Sequence, residues 1–146
     1  MTIFDAIPRA DMGLPLPDET QFAYLNRSNR PVAERVRKLI DEWVAEYPES
    51  HRKNLIGRFR SVIDDAHRSA FFELFLHHLA VARGCNVLAI EPQLEDTDKT
   101  PDFLLENANQ ERFYLEAALA TGRSNQETAA HARLNTALAA IDSTRS

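Results

Sequence analysis

The apolar residues of this chain change their spacing once, at Gly84. Before that glycine they recur every three or four positions, which is typical of helices that bury one face. After it, short runs such as "NVLAIEP" alternate between apolar and polar positions and are separated by polar turns, which is typical of strands. The pattern predicts three helices, three strands and a final helix, and so an α/β domain with a small mixed or antiparallel sheet flanked by helices.

The helices predicted before Gly84 cover residues 31–47, about 50–64 and about 66–83. Pro31 suits the first turn of the first helix, and Pro48 ends it. The third helix is apolar nearly all round, so we expect it to be covered on more than one side. In the first two helices the residues expected to face the core are Val32, Val36, Leu39, Ile40, Trp43, Val44, Leu55, Ile56, Phe59, Val62 and Ile63.

The strands are predicted in "NVLAIEP", "DFLLE" and "RFYLEAAL". The last two flank the turn "NANQ" and are expected to pair as an antiparallel hairpin. A final helix is predicted in "QETAAHARLNTALAAID". Its inward face is expected to consist of Ala130, Leu134, Ala137, Leu138 and Ile141.

The length of 146 residues suits one domain with one hydrophobic core. Residues 1–30 contain three prolines and a glycine among mixed residues, so we expect an extended arm or linker there. The single domain is therefore expected over residues 31–146. Within it, residues 31–64 are the helical region and residues 66–142 the main core.

The composition excludes several classes of protein. A net charge of −5 argues against a general attraction to nucleic acid, and all the excess acid follows residue 70. Cys85 is the only cysteine, so an internal disulfide is excluded and a reducing, cytoplasmic location fits best. The sequence has no long apolar run and no basic leader, so we expect neither a membrane-spanning helix nor a secretory signal.

Three acidic residues lie where apolar side chains are expected. Glu73 lies in the apolar third helix, where an unpaired carboxylate is strongly unfavourable. Asp102 opens the second strand after Pro101, and Glu116 lies in the middle of the third. Simpler explanations stay open, because Glu73 could pair with an arginine or with His77, and Asp102 could merely begin a strand after a loop.

A hairpin can bring Asp102 and Glu116 within a few ångströms of each other. Two close carboxylates repel unless a cation lies between them. Mg²⁺ prefers such oxygen ligands and keeps its other positions for water and phosphate. A metal held there can acidify a bound water and stabilise the charge that develops on a phosphodiester.

This order of acids resembles that of the PD-(D/E)xK nuclease superfamily. The helical acid of that family matches Glu73, its "PD" matches Pro101-Asp102, and its third-strand acid matches Glu116 in "YLEAAL". The resemblance covers roughly residues 66–142 and implies a restriction-endonuclease-like core.

The same resemblance implies a metal-dependent endonuclease that hydrolyses phosphodiester bonds of DNA, or less readily RNA. Asp102, Glu116 and the carbonyl of Ala117 would hold Mg²⁺ or Mn²⁺, and Glu73 would complete the catalytic set with the two acids. No glycine-rich phosphate loop indicates a further cofactor.

The chain departs from the family pattern at Ala118, which stands where the motif lysine belongs. One interpretation is that Arg123, Arg133 or Lys99 supplies the cation, or that Gln126 positions the water. A second is that catalysis has been lost and the domain is a scaffold or binding module. A third is an accessory domain without a site.

The partners implied are nucleic acid, and either a second copy of the chain or other domains of a parent protein. The basic cluster "HRKNLIGRFR", residues 51–60, could meet a DNA backbone or could be a solvated helix end. The family core has a further strand after the last helix, which this chain lacks. We therefore expect the chain to be part of something longer.

Overall fold

A computed structural model describes residues 2–118, and within them the chain has four helices and three strands. This confirms the mixed α/β class. The predicted helix at 126–142 lies outside the described residues, as do Arg123, Gln126 and Arg133. The elements in chain order are α1 (Gln21–Arg27), α2 (Pro31–Glu46), α3 (Glu49–Phe59), α4 (Asp64–Ala82), β1 (Asn86–Ile90), β2 (Phe103–Glu106) and β3 (Arg112–Leu115).

The described residues form two compact units, and the division falls within α2. The smaller, residues 4–37, is built around α1. Thr20 caps α1 by accepting a hydrogen bond from the backbone N–H of Ala23 at 3.0 Å. Residues 21–27 are thus helical within the segment for which the sequence predicted an arm.

The larger unit comprises residues 2–3 and 38–118 and contains the sheet. In it α3 packs against α4, and α4 contacts β1. Its buried apolar side chains include Ile3, Ile40, Trp43, Val44, Tyr47, Leu55, Phe59, Leu74, Phe103 and Leu105.

The boundary between α3 and α4 differs from the one predicted. The helical spacing of the sequence continues to residue 63, but α3 ends at Phe59 and α4 begins at Asp64. Val62 and Ile63, predicted to be buried, lie in the connection and are 86% and 65% exposed. Periodicity alone does not detect this break, because no proline or glycine marks it.

Helix burial agrees with the predictions in part. Ile40 and Trp43 of α2 are buried as predicted, whereas Val32 and Leu39 are exposed. The buried stripe of α4 consists of His67, Ala70, Glu73, Leu74, His77 and Ala80. Several apolar side chains of α4 remain partly exposed within residues 2–118, so the expected cover on more than one side is not seen there.

The three strands form an antiparallel sheet in the order β1-β2-β3. β2 and β3 pair as the predicted hairpin around the turn at 107–110, and Phe103 lies opposite Leu115. β1 pairs with β2 through a bulge, because Val87 lies opposite Leu105 whereas Ala89 lies opposite Leu104. β3 ends at Leu115, four residues before the end of the predicted strand "RFYLEAAL".

Candidate acidic site at the ends of the three strands

The register of the sheet places three acids side by side. Phe103 lies opposite both Leu115 of β3 and Ile90 of β1. Continued one residue beyond these pairs, the same register brings Asp102 near Glu116 on one side and Glu91 on the other, and both acids influence Asp102 electrostatically. We call Glu91, Asp102 and Glu116 the acidic row.

Hydrogen bonds fix the central member of the row from both sides. The backbone N–H of Glu91 donates to the carbonyl oxygen of Asp102 at 2.9 Å. The backbone N–H of Ala117 donates to Asp102 Oδ2 at 2.6 Å. Asp102 is half-buried, and the bond from Ala117 holds its carboxylate in a set orientation, whereas the bond from Glu91 holds its backbone.

The surroundings of Asp102 disfavour its charge. Burial raises the pKa of its carboxyl group, and the hydrogen bond from Ala117 opposes that rise. The negative charges of Glu73, Glu116 and Glu91 raise the pKa further. All the predicted acids therefore act on Asp102 electrostatically, together with one that the sequence interpretation did not include.

That additional acid is Glu91, which has a left-handed backbone with φ 49° and precedes Pro92. Such a conformation is uncommon for a residue other than glycine and is one kind of strain that accumulates at functional sites. The sequence did contain an indication of this acid. In "IEP" an acid directly follows β1, just as in "PD" an acid directly precedes β2. Its place in the row depends on the bulge in β1, which spacing does not predict.

Glu73 is paired with an arginine. The sequence left two partners open, an arginine or His77, and the structure shows the arginine. Arg58 of α3 donates to both of its carboxylate oxygens, at 2.8 and 2.7 Å. Glu73 is only 7% exposed, and the Ser69 hydroxyl approaches Oε1 at 3.4 Å. A two-pronged ion pair of this kind satisfies a buried carboxylate well. A role of Glu73 as a metal ligand stays a prediction.

The basic cluster at 51–60 is largely engaged with the protein itself. Arg52 donates to the carbonyl oxygens of Tyr47 and Ala45, each at 2.6 Å. Arg60 donates to the carbonyl oxygen of Ile3 at 3.0 Å. With Arg58 on Glu73, these arginines tie helices to their surroundings, and Lys53 is left as an exposed cation of the cluster.

Ala118 is exposed and brings no charge to the row. Lys99, one of the proposed substitutes, lies exposed in the loop between β1 and β2. Among the described cations, Arg58 is the one bonded to an acid of the predicted set. Its guanidinium is too basic to accept a proton, so it could supply charge but not act as a general base.

The fit to a metal ion rests on two carboxylates. Between residues 2 and 118 no group of three or more His, Cys, Asp or Glu is arranged to hold an ion. Mg²⁺ often binds through one or two carboxylates and completes its shell with water and phosphate oxygens. Asp102 and Glu116 provide such a pair, and the repulsion that raises the pKa of Asp102 is what a divalent ion would offset.

No family model, curated protein or solved structure matches this chain. None of the helices between residues 2 and 118 has the length and apolar character needed to cross a bilayer.

The Arg58–Glu73 pair should be strongly coupled. Replacing Arg58→Met leaves a buried carboxylate without its partner, and we expect a loss of about 3 kcal/mol in the free energy of unfolding. The double variant Arg58→Met/Glu73→Leu should recover most of that loss. The measurement is urea unfolding of the four proteins of the cycle.

The matched control is Arg68→Met, which removes an exposed arginine 3.5 Å from Asp64 on the surface of α4. We expect a change below about 0.5 kcal/mol there. Equal effects at Arg58 and Arg68 would contradict the coupling.

Asp102 should limit stability at neutral pH. Because folding raises its pKa, the charged carboxylate opposes folding, and this disadvantage disappears once the group is protonated in both folded and unfolded protein. We expect Asp102→Asn to raise the melting temperature at pH 7 by about 2–4 °C. The gain should vanish as the pH falls to about 3.5.

Thermal unfolding followed by circular dichroism across this pH range tests the effect, with the exposed loop residue Asp98→Asn as control. A lower melting temperature for Asp102→Asn at pH 7 would mean that the bond from Ala117 outweighs burial and repulsion.

Proposed function

We propose that the larger unit carries a nuclease-like site that hydrolyses phosphodiester bonds of DNA, or less readily RNA, with the help of Mg²⁺ or Mn²⁺. The supporting observation is the acidic row, in which the pairing of β2 with its two neighbours brings Asp102 near Glu116 and Glu91. Like charges directly across a sheet are destabilising, so a row of them needs another reason to exist.

The context of the row also agrees with a restriction-endonuclease-like core. A helix that carries a buried acid precedes three antiparallel strands, and Asp102 opens the middle strand directly after Pro101. Glu73 of that helix acts electrostatically on Asp102. The resemblance to that core lies in the order of the helix and strands and in the electrostatic proximity of the acids. Ala118, which stands where the motif lysine belongs, departs from it.

In this proposal each protein group has a defined task. Asp102 and Glu116 would hold the ion, and the carbonyl of Ala117 would add a ligand. The N–H of Ala117 orients Asp102, and Arg58 holds the carboxylate of Glu73 through two hydrogen bonds. A divalent ion held there would supply Lewis-acid stabilisation of charge on a phosphate oxygen and would acidify a water.

A second candidate is a nuclease-like scaffold that binds without cutting. Two observations favour it. Ala118 leaves the motif without its lysine, and Arg58 already neutralises the helical acid Glu73. An ion could then still bind at Asp102 and Glu116 without hydrolysis.

Metal binding should depend on Glu116. We expect wild-type protein to bind Mn²⁺ in calorimetric titration and Glu116→Gln to bind at least about tenfold more weakly, since a charged ligand is lost. Supercoiled plasmid incubated with Mn²⁺ should be nicked by wild-type protein, and the rate should fall in Glu116→Gln.

Glu111→Gln is the matched control, because Glu111 lies in the hairpin turn at the opposite end of β2 and β3. It should bind Mn²⁺ as wild type does. No binding heat in the wild type would sink the proposed site, whereas binding without nicking would leave the scaffold.

Adding the missing cation should increase cleavage. We expect Ala118→Lys to raise the rate of Mn²⁺-dependent plasmid nicking at least about tenfold, because a point cation beside the scissile phosphate stabilises the transition state. Tyr114→Lys adds the same charge at an exposed position of β3 and should not increase the rate. Equal rates in the two variants would mean that the lysine's task is either supplied elsewhere or has no place in this protein.

A further inference from the structure

Tyr47 lies between the two elements that carry Glu73 and Asp102. It follows α2 and is only 1% exposed. Its ring centroid lies 4.9 Å from that of His77, one turn beyond Glu73 on α4. It lies 6.5 Å from that of Phe103, the residue after Asp102. The ring thus packs between His77 of α4, one turn from Glu73, and Phe103, the first residue of β2.

The hydroxyl group of Tyr47 has no hydrogen-bond partner among residues 2–118. Buried tyrosine hydroxyls usually find one. The buried side-chain atoms of this part of the chain that are both unpaired and sealed from solvent are Trp43 Nε1 and His77 Nδ1, and Tyr47 Oη is not one of them. The oxygen is therefore not completely sealed, although Tyr47 as a whole is only 1% exposed.

Four charged groups influence this hydroxyl electrostatically. Burial raises the pKa of Tyr47, and the negative charges of Glu73, Glu91 and Asp102 raise it further, against the opposing charge of Arg58. The phenol therefore stays neutral and keeps its proton. It is a hydrogen-bond donor without an acceptor among residues 2–118, within electrostatic range of Glu73, Glu91 and Asp102.

The geometry points to the Tyr47 hydroxyl as a hydrogen-bond donor to an oxygen of the phosphate group bound at the acidic row, and this inference rests on the proposed function. A neutral phenol is a poor ligand for Mg²⁺ compared with the carboxylates next to it. It is a good donor to a phosphate oxygen, which a cation at Asp102 and Glu116 would bring near. The hydroxyl would thereby take over part of the stabilising role that Ala118 cannot fill.

The test begins with Mg²⁺ titrated into wild type, Tyr47→Phe and Tyr114→Phe, followed by inorganic phosphate titrated into each Mg²⁺-loaded protein. Tyr114 is exposed on β3 and gives the same chemical change away from the row's interior. We expect all three proteins to bind Mg²⁺ alike. Phosphate should bind Tyr47→Phe about 10–100-fold more weakly than the other two, since a bond to a charged oxygen is lost.

Each other outcome overturns a defined part of the proposal. If wild type binds no Mg²⁺, the proposed function fails and the inference fails with it. If it binds Mg²⁺ and phosphate but Tyr47→Phe binds phosphate equally well, only the role of Tyr47 fails. If Tyr47→Phe loses Mg²⁺ as well, the hydroxyl serves the ion and not the phosphate. If Mg²⁺-loaded wild type binds no phosphate, the inference is overturned.

A second measurement keeps the inference testable if Tyr47→Phe does not fold. The chain has three tyrosines, so Tyr24→Phe/Tyr114→Phe leaves Tyr47 as the sole one. In this double variant, phosphate added with Mg²⁺ should shift the tyrosine absorption to longer wavelength, because the phenol then donates to an anion. An unchanged spectrum with phosphate bound would overturn the role of Tyr47.

Discussion

The pairing register of β2 with its two neighbours decides which side chains of this protein can meet. A slip of one residue in either pairing would move every side chain of that strand to the opposite face. In the register observed, the buried side of β2 carries Phe103 and Leu105 into the core, and its end carries Asp102 between two other acids. The same constraint that forms the core therefore assembles the acidic row.

The four acids Glu73, Glu91, Asp102 and Glu116 differ in how deeply they are buried and in whether a cation compensates their charge. Glu73 is the most buried, and Arg58 satisfies it on both oxygens. Asp102 is half-buried and receives a hydrogen bond from a backbone amide but no cation from the described residues. The uncompensated charge is thus concentrated on the strands, where an ion could bind, and not on the helix.

The sequence predicted what local patterns determine. The turn at 107–110 and the alternation beside it specified the β2–β3 hairpin, which pairs Phe103, the neighbour of Asp102, with Leu115, the neighbour of Glu116. The sequence did not predict contacts between residues that are far apart along the chain. The partner of Glu73 is fifteen residues away on another helix, so spacing could indicate that a partner was needed but not that it was Arg58. The prediction that Val62 is buried was wrong, because the helical spacing of apolar residues continues in the sequence after the backbone has left the helix at Phe59.

The bulge in β1 has a consequence for how such a protein could change over evolutionary time. Leu88 has no partner of its own on β2, and this single extra residue is why Glu91, and not Ile90, arrives beside Asp102. If the same β1 sequence paired with β2 without the bulge, Ile90 would lie there, and an aliphatic side chain would replace an acid with every acid of the chain still present. The presence or absence of the bulge can therefore alter the number of carboxylates in the row without the substitution of any acid.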